Sequence, residues 1–181
     1  MKHLTRDELL QQLKHTANVR RKASSAPFTG MAILGNYILW KTEGWYQKRL
    51  AEYNERVREY YDMDIDIKVL SNRLYHVADF TVEVEYHKVQ DNQYKKSQRY
   101  RHSMEQKLMD AEDEINRCSQ KYMLIHFNVL MDMGYGKKRL IRVKDAMNRK
   151  LGEISDPMGK GAMEMRQELM DGVGIIIEMP A

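Results

Sequence analysis

Lysine and arginine are the residues whose types and spacing indicate chemistry most clearly in this sequence, and that chemistry is binding. Residues 44–50 read Gly-Trp-Tyr-Gln-Lys-Arg-Leu, and residues 134–140 read Gly-Tyr-Gly-Lys-Lys-Arg-Leu. Because glycine, an aromatic residue and Lys-Arg-Leu recur in the same order at an offset of 90 residues, we predict an internal duplication. The candidate partner-binding residues are Lys48, Arg49, Lys137, Lys138, Arg139, Arg142 and Lys144.

The cations that follow Gly134 have two interpretations, and the sequence leaves both open. Leu140, Val143 and Met147 share one face of the expected helix, so the cations could simply form its solvated face. That interpretation does not explain why Lys-Arg recurs in the first segment. Cations at a helix start are also disfavoured by the helix dipole, and binding of a partner would account for their placement.

A second basic group is interleaved with tyrosines between the two segments. Tyrosine rings can stack on bases while lysine and arginine side chains contact phosphates, so this spacing suits single-stranded nucleic acid. A solvated linker is the favoured alternative. The candidate nucleic-acid contacts are Tyr94, Lys95, Lys96, Arg99, Tyr100 and Arg101.

No motif of a metal site or an enzyme is complete. Asp62, Asp64 and Asp66 imitate the first half of a calcium-binding loop, but Ile67 stands where that loop needs glycine. The six histidines form no zinc motif, and the apolar surroundings of His126 favour a packed side chain over a ligand. Phosphate-binding loops and nucleophile motifs are missing too. We therefore expect no cofactor, no metal and no catalytic activity.

Composition indicates a mainly helical intracellular protein. The 181 residues are 43% hydrophobic and include only three prolines but 14 methionines, which suits helices packed on a core. The single cysteine, Cys118, lies in an apolar stripe, which favours a buried structural thiol over a reactive one. No run of about 18 apolar residues is present, so we expect no membrane contact and a cytoplasmic location. The net charge of +4 leaves nucleic acid or an acidic protein surface open as partners.

Hydrophobic spacing predicts the helices that must position the basic segments. An apolar helix over residues 31–40 leads to Gly44, and a long apolar stripe leads to Gly134. For the stripe we favour an internal helical hairpin over an intermolecular coiled coil. The stripe consists of Met104, Leu108, Ala111, Ile115, Cys118, Tyr122, Ile125 and Val129. Two further faces consist of Tyr46, Leu50, Tyr53, Val57 and Tyr60, and of Ile67, Leu70, Leu74 and Val77.

The expected fold class is mainly α, with two pseudo-repeated helical lobes. Residues 80–86 alternate apolar and polar as a half-exposed strand does, and residues 173–178 are rich in isoleucine, which leaves open a small two-stranded β element. We divide the chain into an N-terminal helix and linker (1–28), a first helical pseudo-repeat (29–87), a basic polar linker (88–102) and a second helical pseudo-repeat (103–181). The oligomeric state is left open.

The second basic segment also carries a family resemblance. Residues 134–140, the apolar helix before them and Arg142 after them resemble small helical proteins of phages and prophages of gut Firmicutes, in a family that contains anti-CRISPR proteins. The resemblance covers the last third of the chain well and residues 44–50 more weakly, because Tyr46 stands where the second segment has Gly136.

This resemblance implies a non-catalytic inhibitor that binds the type II CRISPR nuclease with its guide RNA and blocks target DNA engagement or cleavage. The isoelectric point near 9.0 departs from an inhibitor that imitates DNA with an acidic surface. Basic patches would instead contact the guide, the bound DNA or an acidic face of the nuclease. The alternative is a phage regulatory protein that binds DNA or RNA directly.

Overall fold

Six helices make up most of the part of the chain that the structure, a computed structural model, describes, namely residues 28–82, 116–154 and 160–177. We number them α1 (residues 28–43), α2 (Gln47–Asp62), α3 (Ile67–Ala78), α4 (residues 116–132), α5 (Lys137–Glu153) and α6 (Lys160–Val173). The mainly helical class predicted from the sequence is confirmed. None of the described helices is long and apolar enough to cross a membrane.

The central helices of the fold are α1 and α4. Residues 33–39 of α1 and 122–130 of α4 are buried on all sides, as in a helix surrounded by others. They approach closely at Gly35, where a β-carbon would overlap the hydroxyl of Tyr122. The sequence predicted burial along one side of α4, but burial extends around the helix. Phe127, which lies outside the predicted stripe, is buried as fully as Tyr122. Of the stripe, residues 104–115 lie outside the described residues.

The outer helices each bury one face. The buried residues of α2 and α5 occupy the same three positions at an offset of 90 residues, namely Leu50, Tyr53 and Val57, and Leu140, Val143 and Met147. Two members of the predicted faces are exposed instead, because Tyr46 precedes the first helical residue of α2 and Val77 lies in the last turn of α3. Cys118 is half-buried, and so it is less enclosed than predicted.

Each half of the chain covers the central helix of the other half. α3 contacts α4 through Asn128, whose side-chain amide donates to the carbonyl oxygen of Leu70 at 3.1 Å. α6 contacts α1 where the ring of Trp40 lies against Gly172. Buried apolar side chains of both halves therefore belong to one hydrophobic core. The boundaries that we assigned near residues 87 and 102 lie outside the described residues and stay predictions.

The predicted β element has no counterpart among the described residues, where no strand is present. α3 and α6 end alike instead, because Asp79 and Gly174 adopt positive φ angles of 46° and 68° and the next residues, Phe80 and Ile175, turn into the core. Val173 is the last residue of α6 rather than the start of a strand. Residues 83–86 and 178 of the predicted strands, and the N-terminal helix, lie outside the described residues.

Candidate functional site

The candidate site consists of two helix-to-helix turns, which we call the first basic turn (residues 44–50) and the second basic turn (residues 134–140). Gly44 has a φ of 65° and Gly134 a φ of 86°, a region that favours glycine because it lacks a β-carbon. The Gly44 N–H donates to the carbonyl of Trp40 at 3.1 Å, and the Gly134 N–H to that of Met131 at 3.0 Å. Both glycines therefore end a central helix and direct the chain into α2 or α5.

The aromatic residue and the arginine have the same role in both turns. Trp45 and Tyr135 are each only 2% exposed, and their rings meet edge to face with centroids 5.7 Å apart. The Arg49 guanidinium lies 4.5 Å from the Trp45 ring centroid, and that of Arg139 lies 3.8 Å from the Tyr135 ring centroid. A cation over an aromatic face is attracted by the negative charge of the ring. The recurrence of aromatic residue and arginine thus has a structural reason.

Glu43, the last residue of α1, binds the arginines of the second basic turn and of α5. Its carboxylate accepts hydrogen bonds from Arg139 Nη2 at 3.0 Å and from Arg142 Nε at 2.8 Å and Nη2 at 2.5 Å. The Tyr135 hydroxyl donates to the same carboxylate at 3.0 Å. The Glu43 side chain is 1% exposed, so this charge is removed from water and compensated within the protein.

The protonation states at Glu43 follow from these contacts. Burial raises the pKa of Glu43, but the hydrogen bonds from Arg139, Arg142 and Tyr135 together lower it further, so the net pKa lies below the ordinary value. Burial, and then the hydrogen bond to Glu43, raise the pKa of Tyr135 to about 12. The carboxylate is consequently charged at neutral pH and the tyrosine remains a donor.

Other cations of α5 contact the end of α3. Lys137 Nζ lies 2.5 Å from Asp79 Oδ2, and the Lys144 ammonium lies 5.4 Å from the centroid of the Phe80 ring. Lys138 is different, because its side chain is exposed and forms no ion pair or hydrogen bond with the described residues. Lys48, at the equivalent position of the first basic turn, is exposed and unpaired in the same sense. These two lysines are the predicted site residues that the intramolecular contacts do not explain.

The first basic turn borders a pocket. The pocket has a volume of about 360 Å³ and is lined by Lys48, Arg49, Glu52, Arg56 and Met133. Arg56 Nη2 lies 2.9 Å from Glu52 Oε1, four residues earlier on α2. Of the lining residues, Met133 alone comes from the other half of the chain.

The remaining sequence predictions have mixed outcomes. The candidate nucleic-acid contacts, Tyr94, Lys95, Lys96, Arg99, Tyr100 and Arg101, lie outside the described residues. Of the aspartates that imitate a calcium loop, Asp62 is the last residue of α2. In the turn that follows, Asp64 pairs with Lys121, and Asp66 caps α3 by accepting from the Lys68 N–H at 2.7 Å. Within the described ranges no three His, Cys, Asp or Glu side chains lie close enough to hold a metal ion.

His126 is packed in the core, as predicted. Its Nδ1 lies 2.5 Å from the Tyr53 hydroxyl, which lies 2.8 Å from the Tyr122 hydroxyl. Loss of water around the ring lowers the pKa of His126 to about 3, so the imidazole is neutral at physiological pH. The network joins α2 to α4 and has no contact with solvent.

Sequence reasoning missed Glu43 and Asp79, the carboxylates that bind the predicted site residues. A signal for Glu43 was present, because the offset of 90 residues aligns it with Met133, a carboxylate against an apolar residue. A carboxylate that is replaced by an apolar residue at the equivalent position indicates that the repeated arginines, Arg49 and Arg139, have different partners.

A scan for known protein families, a comparison with curated proteins and a comparison with solved structures each give no match. The resemblance of residues 134–140 to phage inhibitors therefore stays a prediction.

Proposed function

We propose that this protein is a non-catalytic inhibitor that binds the type II CRISPR nuclease with its guide RNA, and that the exposed cations of α5 make the contact. The proposal combines the resemblance of residues 134–140 to phage inhibitors with the charge of the helix that follows them. It implies action in the cytoplasm of a bacterial host, without metal or cofactor.

The observation that carries the proposal is the charge of α5. Its 17 residues include seven lysines and arginines but two acidic residues, a formal excess of five positive charges. Glu43 and Asp79 compensate only part of this excess, because the single carboxylate of Glu43 is shared by two arginines. A positive surface of this kind attracts phosphates and acidic protein faces.

The remaining charge lies on the solvent-facing side of α5. Lys138, Arg142 and Arg149 are exposed, at spacings of four and seven residues that place them along one side of a helix. The Arg142 side chain is 58% exposed even though its guanidinium binds Glu43. The contact surface that we propose therefore consists of Lys138, Arg142 and Arg149, and Arg139 is mainly a structural residue.

We also propose that the two basic turns belong to an internal duplication. It is supported by the positive φ angles of Gly44 and Gly134, by the arginine stacked on an aromatic ring in each turn, and by the matching buried positions of α2 and α5. Superposition of the two halves as whole units stays a prediction.

The test uses the purified full chain, a type II nuclease with its guide RNA, co-elution in gel filtration, and cleavage of target DNA. The double variant Lys138→Ala/Arg149→Ala should bind about tenfold more weakly and with a smaller dependence on salt, because two charge contacts are lost. The matched control is Arg58→Ala/Lys68→Ala, which removes two exposed cations from α2 and α3. It should change affinity by less than about twofold.

Other outcomes would contradict the proposal. Equal affinity for free DNA or RNA, with no effect on the nuclease, would favour the alternative of a regulatory protein that binds nucleic acid directly. Metal-dependent breakdown of nucleic acid by this protein alone would show that it is an enzyme.

A further inference from the structure

The contacts around Glu43 show how this protein binds a carboxylate. An arginine that lies on a buried aromatic ring, Arg139 on Tyr135, donates to the carboxylate, and the ring hydroxyl and Arg142 complete the set of donors. Hydrogen bonds between ionised partners of this kind are stronger than neutral ones. Glu43 comes from the other half of the chain, just before the glycine of the first basic turn.

The first basic turn also has an arginine on an aromatic ring, but it lacks the counterpart of Glu43, and Glu52 of α2 stands where α5 has Arg142. At the position equivalent to Glu43 stands Met133, which lines the pocket together with Lys48 and Arg49 of the first basic turn. Arg49 stacks on Trp45 but forms no ion pair with the described residues. The indole N–H of Trp45 is buried without a hydrogen-bond partner in the described part of the chain, whereas the Tyr135 hydroxyl donates to Glu43.

The pocket at this position is positively charged and has an apolar wall. Lys48, Arg49 and Arg56 oppose the single carboxylate of Glu52, which leaves a formal excess of two positive charges. Glu52 is already bound by Arg56. Met133 offers an apolar surface to the methylene groups of an acidic side chain.

We infer that this pocket binds an aspartate or glutamate side chain of a protein partner. In the second basic turn the arginine that lies on the aromatic ring binds a carboxylate, which favours a carboxylate over a phosphate as the ligand of Arg49. Arginine with a second cation beside it provides the charge-assisted donors that such a group needs. The pocket is separate from the α5 surface proposed above and does not depend on the identity of the nuclease partner.

The experiment places a carboxylate in the pocket from within the chain. Met133→Glu supplies the group that Glu43 supplies at the second basic turn, so it should occupy the pocket and exclude a partner's side chain. Binding of a fluorescently labelled, end-blocked hexaglutamate peptide is measured by anisotropy at low salt. Met133→Glu should weaken peptide binding about tenfold or more, since a charge-assisted contact is replaced by repulsion.

Two control variants separate the effect of a carboxylate in the pocket from the effects of a changed side-chain shape and of an added negative charge. Met133→Gln keeps the shape without the charge, and Val69→Glu adds the same charge at an exposed position of α3. Each should weaken peptide binding by less than about threefold. Thermal melts of all variants verify that they are folded. The variant Lys138→Ala/Arg149→Ala should bind the peptide within about threefold of the parent, so failure of the α5 proposal and failure of this inference are distinguishable.

Two results would overturn the inference. One is equal weakening by Met133→Glu and Val69→Glu, which would mean that the peptide senses only overall charge. The other is binding of a labelled hexathymidylate, but not of the peptide, with the same sensitivity to Met133→Glu, which would make the pocket a phosphate site.

Discussion

The first and second basic turns begin alike and differ in what their arginines bind. In each turn a glycine with positive φ ends a central helix, a buried aromatic ring follows, and an arginine lies on that ring. Arg139 also binds Glu43, whereas Arg49 borders a pocket next to Met133. The turns differ at two equivalent positions, because Met133 stands where the other half has Glu43, and Glu52 stands where α5 has Arg142. Glu43 makes the second turn structural, whereas the first turn keeps an open pocket.

The largest expected effect comes from the aromatic residues, because both are buried beneath an arginine. Trp45→Ala and Tyr135→Ala should each lower the free energy of unfolding by about 3–5 kcal/mol, as loss of a large core ring does. Urea unfolding followed by circular dichroism measures this. Tyr46→Ala, at an exposed ring beside Trp45, should change it by less than about 0.5 kcal/mol. A large loss of unfolding free energy for only one of the two variants would show that Trp45 and Tyr135 do not have the same structural role.

The next effect concerns the carboxylate that distinguishes the turns. Glu43→Gln should destabilise the protein by about 2 kcal/mol at neutral pH, because the buried carboxylate that accepts hydrogen bonds from two partly exposed arginines loses its charge. The folded-state pKa of Glu43 is lowered, so its contribution is present above the unfolded-state pKa and is lost as the pH falls through the folded-state value. The difference in stability between parent and variant should therefore begin to shrink as the pH falls below the unfolded-state pKa of about 4.3, and should vanish only below the folded-state pKa.

A matched control for Glu43 lies on α5. Glu153 is exposed and pairs with Lys150 at 3.4 Å, so Glu153→Gln should change stability by less than about 0.5 kcal/mol. An equal loss at Glu43 and Glu153 would mean that burial of the Glu43 site contributes nothing.

The glycines should give a smaller and equal effect in both turns. Gly44→Ala and Gly134→Ala should each cost about 1–2 kcal/mol, since positive φ is unfavourable for alanine although nothing blocks its β-carbon. Gly152 has similarly open space but lies within α5, so Gly152→Ala should stabilise the protein by about 0.5–1 kcal/mol. Thermal melts compare the three variants. An unchanged melting temperature for Gly44→Ala or Gly134→Ala would show that the turn changes its backbone conformation to accommodate alanine.

The smallest expected effect concerns the hydrogen-bond network of Tyr53 and His126, which joins the two halves of the chain. The folded-state pKa of His126 is lowered to about 3, so below the unfolded-state value the unfolded chain binds the extra proton. Stability is then fully present above about pH 6.5 and is lost as the pH falls towards about 3. Between about pH 7 and pH 5.5 the free energy of unfolding should drop by roughly 1 kcal/mol. The exposed variant His76→Gln should show the same drop, and a flat profile would contradict neutral burial of His126.

Local signals in the sequence predicted helical patterns in α1 to α5, the glycine ends and the buried positions of α2 and α5. Apolar spacing identified Leu50 and Leu140, because a helical face is encoded by neighbouring residues. The binding of Glu43 by Arg139 was not predictable in this way, since it joins residues far apart in the chain. Phe80 and Val82 fitted a strand pattern in the sequence, because alternation does not distinguish pairing in a sheet from burial against helices.

A carboxylate exchange between the two turns shows whether Arg49 can bind a carboxylate as Arg139 does. Urea unfolding is measured for Glu43→Met, Met133→Glu and the double variant, and no partner is needed. If the turns are equivalent, Met133→Glu introduced into Glu43→Met should recover at least about half of the roughly 2 kcal/mol lost, because Arg49 would bind the new carboxylate as Arg139 binds Glu43. If Met133→Glu instead lowers the stability of the parent and of Glu43→Met by the same amount, the first basic turn does not bind a carboxylate and the comparison fails.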